Sequence, residues 1–357
     1  MSLDGLKNGL RLSVLDQSPV PMGSTPGQAL QNSIELARWV DELGYTRFWM
    51  SEHHAMDTLA CTAPEIMLAR IGAETKRIRI GSGGIMLPHY TSLKVAEIFR
   101  MLHALYPGRV DLGIGRAPGG GPVEAMALRR NRKAQPVDDF PEQVSELLAF
   151  LDNGFPESHP FSKVRVSPEM PGSPDVWMLG SSMWSSAAAV EFGLPYSFAH
   201  FFSPVATRAA IETYRRSFTP SRYRQEPEAT VAVGVICAET QEEAEYLASS
   251  VKVLQRRIRQ GDRRPVASPE DALRELRLLG DAPMEEGEWP RYFVGTPAKV
   301  REQLEQMAGE LGIGELVVNT IVWDHAARVR SYELLAAVFR LAPVGQQPYA
   351  FHPVRLS

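Results

Sequence analysis

Three short runs in the chain combine residue types that can do chemistry. EHH occupies residues 52–54, GSGG occupies residues 81–84, and Arg116 follows the run GIG. An imidazole can accept and release a proton near neutral pH, whereas glycines inside a strand mark either tight packing or the close approach of a ligand. An arginine fork suits a phosphate or a carboxylate, although a surface salt bridge is an alternative use. These runs predict an anionic ligand beside an acid–base group.

Adjacent histidines also raise the question of a metal. Successive side chains on a regular strand point to opposite faces, so His53 and His54 cannot both face one interior. The chain has no alternating HxH pair at a strand end to complete a ligand set. We therefore expect no metal. One member of the pair remains a candidate for acid–base chemistry, and for the other the alternative is a buried histidine hydrogen-bonded beside Glu52.

A second anion-binding feature is the run GSSMWSS at residues 180–186. It lies between a predicted strand and a predicted helix, where free backbone N–H groups and the helix dipole favour a phosphate. Plain helix capping is the alternative. Together with Arg116 in the same mouth of a barrel, the run favours a phosphate-bearing ligand near Ser181, Ser182 and Met183.

Several other classes of site have weak support. The glycines at 113, 115 and 119 have the spacing GxGxxxG, and a Pro-Gly run follows them instead of a helix, so a dinucleotide fingerprint is not predicted. The chain has no Walker sequence and no nucleophile elbow. Its net charge of −4 does not suggest a nucleic-acid or anionic-membrane surface. Cys61 and Cys237 have no metal or redox spacing, so we expect two inert core thiols in a cytoplasmic protein.

These residues need a scaffold that brings strand ends together. Short apolar segments alternate with amphipathic helical segments along the chain, which predicts a parallel sheet with right-handed crossovers. Eight such units predict an α/β protein, a closed (β/α)8 TIM barrel, in one domain over residues 1–357 with insertions at 117–174 and 256–290. In such a barrel the carboxyl ends of the strands carry the site. Gln17, His54 and His200 stand at those ends, as candidates for the substrate pocket.

The helical phases carry further expectations. The helix over residues 63–74 is expected to turn Ile66, Ala69 and Ala73 inward. This helix and the helix over residues 91–106 also carry apolar side chains outside the narrow stripe that faces the core, namely Met67, Leu68, Met101 and Leu105. Apolar side chains left outside the core would be buried by pairing of two copies, so they favour a homodimer. The polar segment 256–290 is expected to be a mobile lid over the mouth.

At this point the sequence resembles the bacterial luciferase-like flavin monooxygenases, in their single-chain branch. The resemblance is carried by ELGYTRFWMSEHHA, RIRIGSGGIMLPHYTSLKVAE, LHALYPGRVDLGIGRAPGG, VWMLGSSMWSSAAAVEFGLPYSFAHFF, YFVGTPAKV and DHAARVRSYELLA, in that order, from about Leu10 to Leu341. It implies a barrel that holds FMN at the carboxyl ends of its strands.

The resemblance also implies roles for particular residues. His53 would lie beside the flavin ring and act in acid–base chemistry. Arg116, with Ser181 and Ser182, would bind the flavin phosphate, and a non-proline cis peptide under the ring would be Gly83-Gly84. Two departures from bacterial luciferase, Gly115 in place of a cysteine and Ser181 in place of an acidic residue, mean that neither light emission nor a long-chain aldehyde substrate is implied.

The sequence therefore predicts an FMN-dependent oxidoreductase, a monooxygenase that takes reduced flavin from a separate reductase and uses O2 to oxygenate a small organic substrate. Two alternatives stay open: hydride transfer with the deazaflavin F420, and a barrel that binds flavin without turnover. The retained EHH run and Arg116 disfavour the non-catalytic alternative.

Overall fold

The computed structural model describes residues 9–128, 138–279 and 287–342. Nine parallel strands are found in these ranges: β1 (Arg11–Asp16), β2 (Arg47–Met50), β3 (Arg79–Met86), β4 (Val110–Gly115), β5 (Asp175–Gly180), β6 (Tyr196–Ala199), β7 (Ala229–Cys237), β8 (Tyr292–Gly295) and β9 (Glu315–Asn319). The helices are α1 (Pro26–Leu43), α2 (Pro64–Glu74), α3 (Ser92–Leu105), α4 (Pro122–Leu128), α5 (Phe140–Asp152), α6 (Met183–Glu191), α7 (Thr207–Ser217), α8 (Gln241–Arg259), α9 (Pro269–Leu279), α10 (Pro297–Leu311) and α11 (His325–Phe339).

Eight of these strands close a barrel, which confirms the predicted fold class. The order runs from β6 through β5, β4, β3, β2 and β1 to β9 and β7, and β7 pairs back with β6. The ninth strand, β8, pairs only with the second half of β7, from Gly234 to Cys237. The sequence analysis did not predict β8, because a segment of four residues shows too little alternation to be recognised.

The helices form where the sequence supplies caps and one apolar face. Thr25 caps α1 by accepting a hydrogen bond from the Gln28 amide at 3.1 Å, and Pro26 occupies the first helical position. Gly44 ends the helix with a φ of 91°, a conformation that favours glycine. The buried face includes Leu36 and Val40, which pack into the main core. The predicted bounds of α1 are therefore explained by local chemistry.

The predicted phase of α2 was wrong. Ile66 is 68% exposed, whereas Met67 and Leu68 are buried in the core. The apolar positions on this short helix permit more than one stripe, and packing against β2 and β3 selects the one that contains Ile71. On α3, Met101 and Leu105 are exposed, as the homodimer prediction requires. Of the four apolar residues expected to be exposed, Met67 and Leu68 are therefore part of the core. Met101 and Leu105 are exposed, and so is Ile66.

The barrel interior is filled by side chains from five of the eight strands. Leu15, Trp49, Trp177, Ala232 and Val317 form one buried cluster, with the two indole rings edge to face at 5.4 Å. A packed lumen of this kind is usual for eight-stranded barrels. It leaves ligand space at one end of the strands, and not along the barrel axis.

A network of buried charged side chains fills the amino end of the barrel. The Arg47 side chain is 6% exposed and lies 2.9 Å from Asp111 and 2.8 Å from Glu315. Its guanidinium also lies over the ring of Trp177, at 4.6 Å from the ring centre. Asp111 also accepts a hydrogen bond from the Trp49 indole at 3.0 Å. This buried network spans several strands, so it restricts function to the opposite, carboxyl end.

Two segments outside the regular units cross the carboxyl end. Residues 117–128 carry α4, which buries none of its side chains. The connection between α8 and α9 is attached to the mouth by a parallel bridge between Pro21 and Val266, and Val266 is fully buried. Because α8 continues to Arg259, the first residues of the segment expected as an insertion at 256–290 are a continuation of a barrel helix.

Candidate functional site

The EHH run lies immediately after β2. His53 is half-buried, and its Nδ1 lies 3.1 Å from the Ser51 hydroxyl. Its backbone N–H donates to the Cys61 carbonyl at 3.0 Å, so both the side chain and the backbone of His53 have hydrogen-bond partners. Burial, followed by repulsion from His54, lowers the pKa of His53 to about 4. At neutral pH this imidazole is therefore uncharged and able to accept a proton.

The second histidine of the run faces a different partner. His54 Nε2 lies 2.7 Å from Glu52 Oε1, and the Glu52 side chain is fully buried. The ring of His89 meets the ring of His54 edge to face at 5.6 Å. The two adjacent histidines thus make separate contacts, as the alternation of side chains on a strand predicts.

The glycine-rich strand β3 runs beside the EHH run. The Gly83-Gly84 peptide bond is cis, which confirms the prediction for this bond. A Cβ on Gly84 would lie 2.8 Å from the Gly113 carbonyl oxygen, and one on Gly83 would lie 2.5 Å from the Leu15 side chain. Tight packing therefore explains why glycines occupy these positions. Gly83 is nevertheless partly exposed, so its bare backbone forms part of the accessible surface at the carboxyl end.

Arg116 follows β4 and lies against the start of α6. Its guanidinium carbon lies 4.1 Å from the ring centre of Trp184, in the first turn of that helix. An ion pair with Asp138 at 3.0 Å is exposed, with 42% and 63% of the two side chains accessible. Ser182 is the N-cap residue of α6 and makes no side-chain capping hydrogen bond. The arginine and a helix N-terminus therefore meet, as the two anion-binding features require.

Ser181, Ser182 and Met183 surround this helix start. Ser181 is half-buried, Ser182 is exposed, and Met183 is 41% exposed. Ser185 packs against this loop. Its hydroxyl donates to the Ser182 carbonyl at 2.7 Å, and a Cβ added at Gly180 would collide with the Ser185 Cβ. The hydrogen bond from Ser185 ties the loop to the first turn of α6, whose first N–H groups have no partner within the helix.

The loops after β2 and β4 are joined directly. The His54 amide donates to the Gly119 carbonyl at 2.9 Å, and Gly119 has a φ of 62°. Arg263, from the connection between α8 and α9, lies 2.6 Å from Glu124 and donates to the Ala55 carbonyl at 2.9 Å. Because β2, β3 and β4 are neighbours in the sheet, His53, Gly83 and Arg116 lie on or directly after three neighbouring strands.

The remaining pocket candidates differ in what they present. Gln17 follows β1 and is 7% exposed. His200 is fully buried, and its two nitrogens lie 2.7 Å from the Thr207 hydroxyl and 3.0 Å from the Pro290 carbonyl oxygen. Burial lowers the pKa of His200 to about 4. Because both ring nitrogens have protein partners, the geometry of His200 is that of a residue that ties the β6 end to the chain before β8.

The two thiols are free and buried, as expected for inert core residues. Burial raises the pKa of Cys61 and of Cys237 to about 12. Across residues 9–128, 138–279 and 287–342, no cluster of three or more His, Cys, Asp or Glu side chains is arranged to hold a metal ion. In the same ranges no helix is both long and apolar enough to cross a membrane.

The geometry agrees with the relationships of the chain. Residues 10–314 match the model of the luciferase-like monooxygenase family. The chain belongs to the luciferase-like monooxygenases. It is 36% identical to an Escherichia coli protein named luciferase-like monooxygenase, over 91% of this chain and 96% of that one. It is also 36% identical to the N-acetyl-S-alkylcysteine monooxygenase of Bacillus subtilis, over 92% and 97% of the two chains.

Solved structures agree with this assignment. The crystal structure of apo-MsnO8 is 48% identical, covers 94% of this chain and 98% of its own, and has a TM-score of 0.86. The oxygenating constituent of 3,6-diketocamphane monooxygenase from Pseudomonas putida, in complex with FMN, shares the fold at 21% identity and a TM-score of 0.70, with 96% and 100% of the two chains covered. As a luciferase-like monooxygenase, the chain is an enzyme of the flavin-dependent oxidoreductases.

Sequence reasoning missed three residues of this luciferase-like site. Tyr90 donates to Glu52 at 2.9 Å, Trp184 stacks on Arg116, and Arg263 reaches the loop after β2 from a distant part of the chain. Trp184 and Tyr90 lie inside runs that the sequence analysis quotes, GSSMWSS and RIRIGSGGIMLPHYTSLKVAE, whereas Arg263 lies in none of them. All three contacts depend on the closure of the barrel.

Proposed function

We propose that this protein is an FMN-dependent monooxygenase that uses reduced flavin and O2 to oxygenate a small organic substrate. The observation that carries the proposal is the contact of Arg116 with the first turn of α6, at the edge where His53 and Gly83 also lie. A planar ligand with a phosphate tail needs these parts together: a cation with free N–H groups for the phosphate, and a bare backbone with an imidazole for the ring.

The phosphate end fits the residues present. Among the described residues, the charged partner of Arg116 is Asp138, in an exposed ion pair that a phosphate can replace at little cost. The first turn of α6 has no side-chain cap, so its N–H groups remain available to the phosphate oxygens. Ser181, Ser182 and Met183 would contact the same group from the loop before the helix. We assign these residues, with Gly83 and Gly84, to the flavin.

The ring end fits as well. Bound reduced flavin would supply the activation of O2, and the protein orients and shields it. His53 is uncharged at neutral pH and held by Ser51, so it can take a proton from the substrate or flavin and later return it. Gln17 and His54 would face the substrate from the neighbouring strand ends. His200, whose ring nitrogens are both satisfied, would act on that pocket only through the chain it positions.

The partners follow from the chemistry. A monooxygenase of this kind needs O2, a substrate and a source of reduced flavin, and we propose a separate flavin reductase as that source. Structures of the same fold include an F420-dependent secondary alcohol dehydrogenase, at 15% identity and a TM-score of 0.64. F420 also carries a phosphate, so the Arg116 site does not by itself separate the two cofactors.

One experiment separates these activities. The purified protein is mixed with dithionite-reduced FMN, then with air, and the reoxidation rate is followed by absorbance with and without reduced F420. A protein-dependent change in FMN reoxidation supports the monooxygenase. Oxidation of reduced F420 without O2, by an added small ketone that accepts the hydride, would replace the proposal by hydride transfer. Tight FMN binding without any change in reactivity would leave a flavin-binding protein.

A further inference from the structure

The Glu52 carboxylate is fully buried at the carboxyl end of β2 and accepts three hydrogen bonds. The Met86 amide donates to Oε2 at 2.9 Å, while the Tyr90 hydroxyl at 2.9 Å and His54 Nε2 at 2.7 Å both reach Oε1. A buried carboxylate with this many donors is held in one orientation. Its partners come from three separate places on the mouth of the barrel.

Each of these contacts fixes a part of the proposed flavin site. Met86 is the last residue of β3 and lies three residues after Gly83. The hydrogen bond from its backbone N–H to Glu52 therefore fixes the position of the glycine-rich strand end. His54 is adjacent to His53, and its own amide is bound to the loop that follows Arg116. Glu52 therefore connects the loop of the acid–base histidine to the backbone that would face the ring.

We infer that Glu52 is a positioning residue, whose carboxylate selects the Nε2–H tautomer of His54 and, through the Met86 amide, ties the loop that carries His53 to the end of β3. A carboxylate can only accept, so the proton of the shared hydrogen bond lies on His54 Nε2. A neutral His54 then has an unprotonated Nδ1. The inference rests on the proposed function for its catalytic meaning, whereas the tautomer itself can be measured without any flavin.

The groups around His54 define the controls. Besides Glu52, it faces His53 of its own run, the ring of His89 after β3, the Tyr90 hydroxyl, and Glu65 of α2. Burial raises the pKa of Glu65, and the charges of Glu52 and His54 act on it more weakly. Among the described residues, Glu65 Oε2 is buried without a hydrogen-bond partner. Glu65→Gln is therefore the matched control for Glu52→Gln. It makes the same substitution at a neighbouring carboxyl and leaves the contacts of Glu52 intact.

The test is histidine side-chain NMR on the ¹⁵N-labelled protein without flavin, with the His54 signals identified from a His54→Asn variant. In the wild type His54 should be the Nε2–H tautomer. In Glu52→Gln it should become a mixture of tautomers, because the amide that replaces the carboxylate can either donate or accept. Glu65→Gln should keep the wild-type tautomer. An unchanged His54 tautomer in Glu52→Gln would overturn the inference.

Tyr90→Phe covers the case in which Glu52→Gln does not fold. It removes a competing donor from Oε1, so the remaining hydrogen bond from His54 should strengthen and the Nε2–H proton signal of His54 should move downfield. An Nε2–H signal at the wild-type position in Tyr90→Phe would contradict coupling through the shared oxygen. This variant keeps the buried carboxylate and two of its donors, so folding is little affected.

Steady-state kinetics then test the catalytic meaning. In Glu52→Gln we expect kcat to fall by about 10–100-fold, as for other groups that orient a functional histidine, with little change in KM for reduced FMN. Glu65→Gln should retain the wild-type kcat. If the expected tautomers are observed but neither the wild type nor any variant shows turnover, the proposed function fails while the positioning of His54 by Glu52 stands. A rise in KM with kcat unchanged would mean that Glu52 supports binding only.

Discussion

At the scale of single residues, His53 determines whether the site can do proton transfer. His53→Gln should keep the fold and the affinity for FMN, and it should lower turnover at saturating reduced flavin by on the order of 10²–10⁴-fold, because a positioned base is lost. His159→Gln, on the loop between α5 and β5, is the control and should turn over like the wild type. Equal rates for His53→Gln and the wild type would contradict the assignment.

The pKa of His53 also predicts the acid side of the pH profile. Because burial lowers that pKa to about 4, the neutral imidazole predominates throughout the neutral range. The rate under saturating flavin should therefore stay level as pH falls from 7 and drop only as pH approaches about 4. A drop centred near 6.5, the usual value for an exposed histidine, would mean that His53 is solvated or is not the titrating group.

His200 gives a prediction for stability. Its folded pKa of about 4 lies below the usual value of 6.5, so between these pH values the unfolded chain binds a proton that the folded protein does not. The stability contributed by neutral His200 is complete above pH 6.5 and is lost as pH falls towards 4, by roughly 3 kcal/mol in all. Urea unfolding of the wild type and of His200→Gln across this range measures it. Parallel curves for the two proteins would show that His200 does not titrate as proposed.

At the scale of elements, β4 and α6 meet through Arg116 and Trp184. Arg116→Ala should weaken FMN by roughly 1.5–3 kcal/mol, the range for a hydrogen bond to a charged group, while riboflavin, which lacks the phosphate, should bind almost as before. Asp138→Ala removes the competing exposed ion pair and should leave FMN binding equal or tighter. Isothermal titration with both flavins measures the difference. An equal loss for both would assign Arg116 to the structure of the loop.

The connection between α8 and α9 belongs to the same scale. We predict that this segment acts as a lid, latched by the ion pair between Arg263 and Glu124. Glu124→Gln should speed trypsin cleavage after Arg259 or Arg263 in the free protein, and FMN should slow it in the wild type. Cleavage at the Arg264-Pro265 bond is not expected, because trypsin rarely cuts before proline. If the rates with and without flavin are the same, only a surface excursion remains.

At the scale of the whole molecule, exposed apolar side chains on α2 and α3 predict self-association. Ile66, Met101 and Leu105 are 68%, 55% and 61% exposed on two helices that pack side by side. A homodimer through this face would bury them, so the Ile66→Lys/Leu105→Lys variant should be monomeric by light scattering at micromolar concentration. Leu278→Lys on α9, which replaces a side chain that is 82% exposed, is the control. A monomeric wild type would contradict the prediction.

By itself, the sequence determined the barrel and the ends of most of its elements. Strand segments alternate with helical stripes, and caps such as Thr25 with Pro26 act within a few residues, so local chemistry suffices. The same local pattern predicted where His53, Gly83 and Arg116 lie, since every strand end of a parallel barrel reaches one face. The resemblance supplied the cis peptide that the structure contains.

The tertiary structure alone decided which partners these residues have. The inward stripe of α2 depends on what packs against Met67 and Leu68, and a sequence with several possible stripes does not specify that. The orientation of Glu52 depends on Met86 and Tyr90, which are 34 and 38 residues away along the chain. The contact of Arg263 with Ala55 spans 208 residues. Such contacts exist only once the barrel has closed, because closure brings together residues that no local pattern relates.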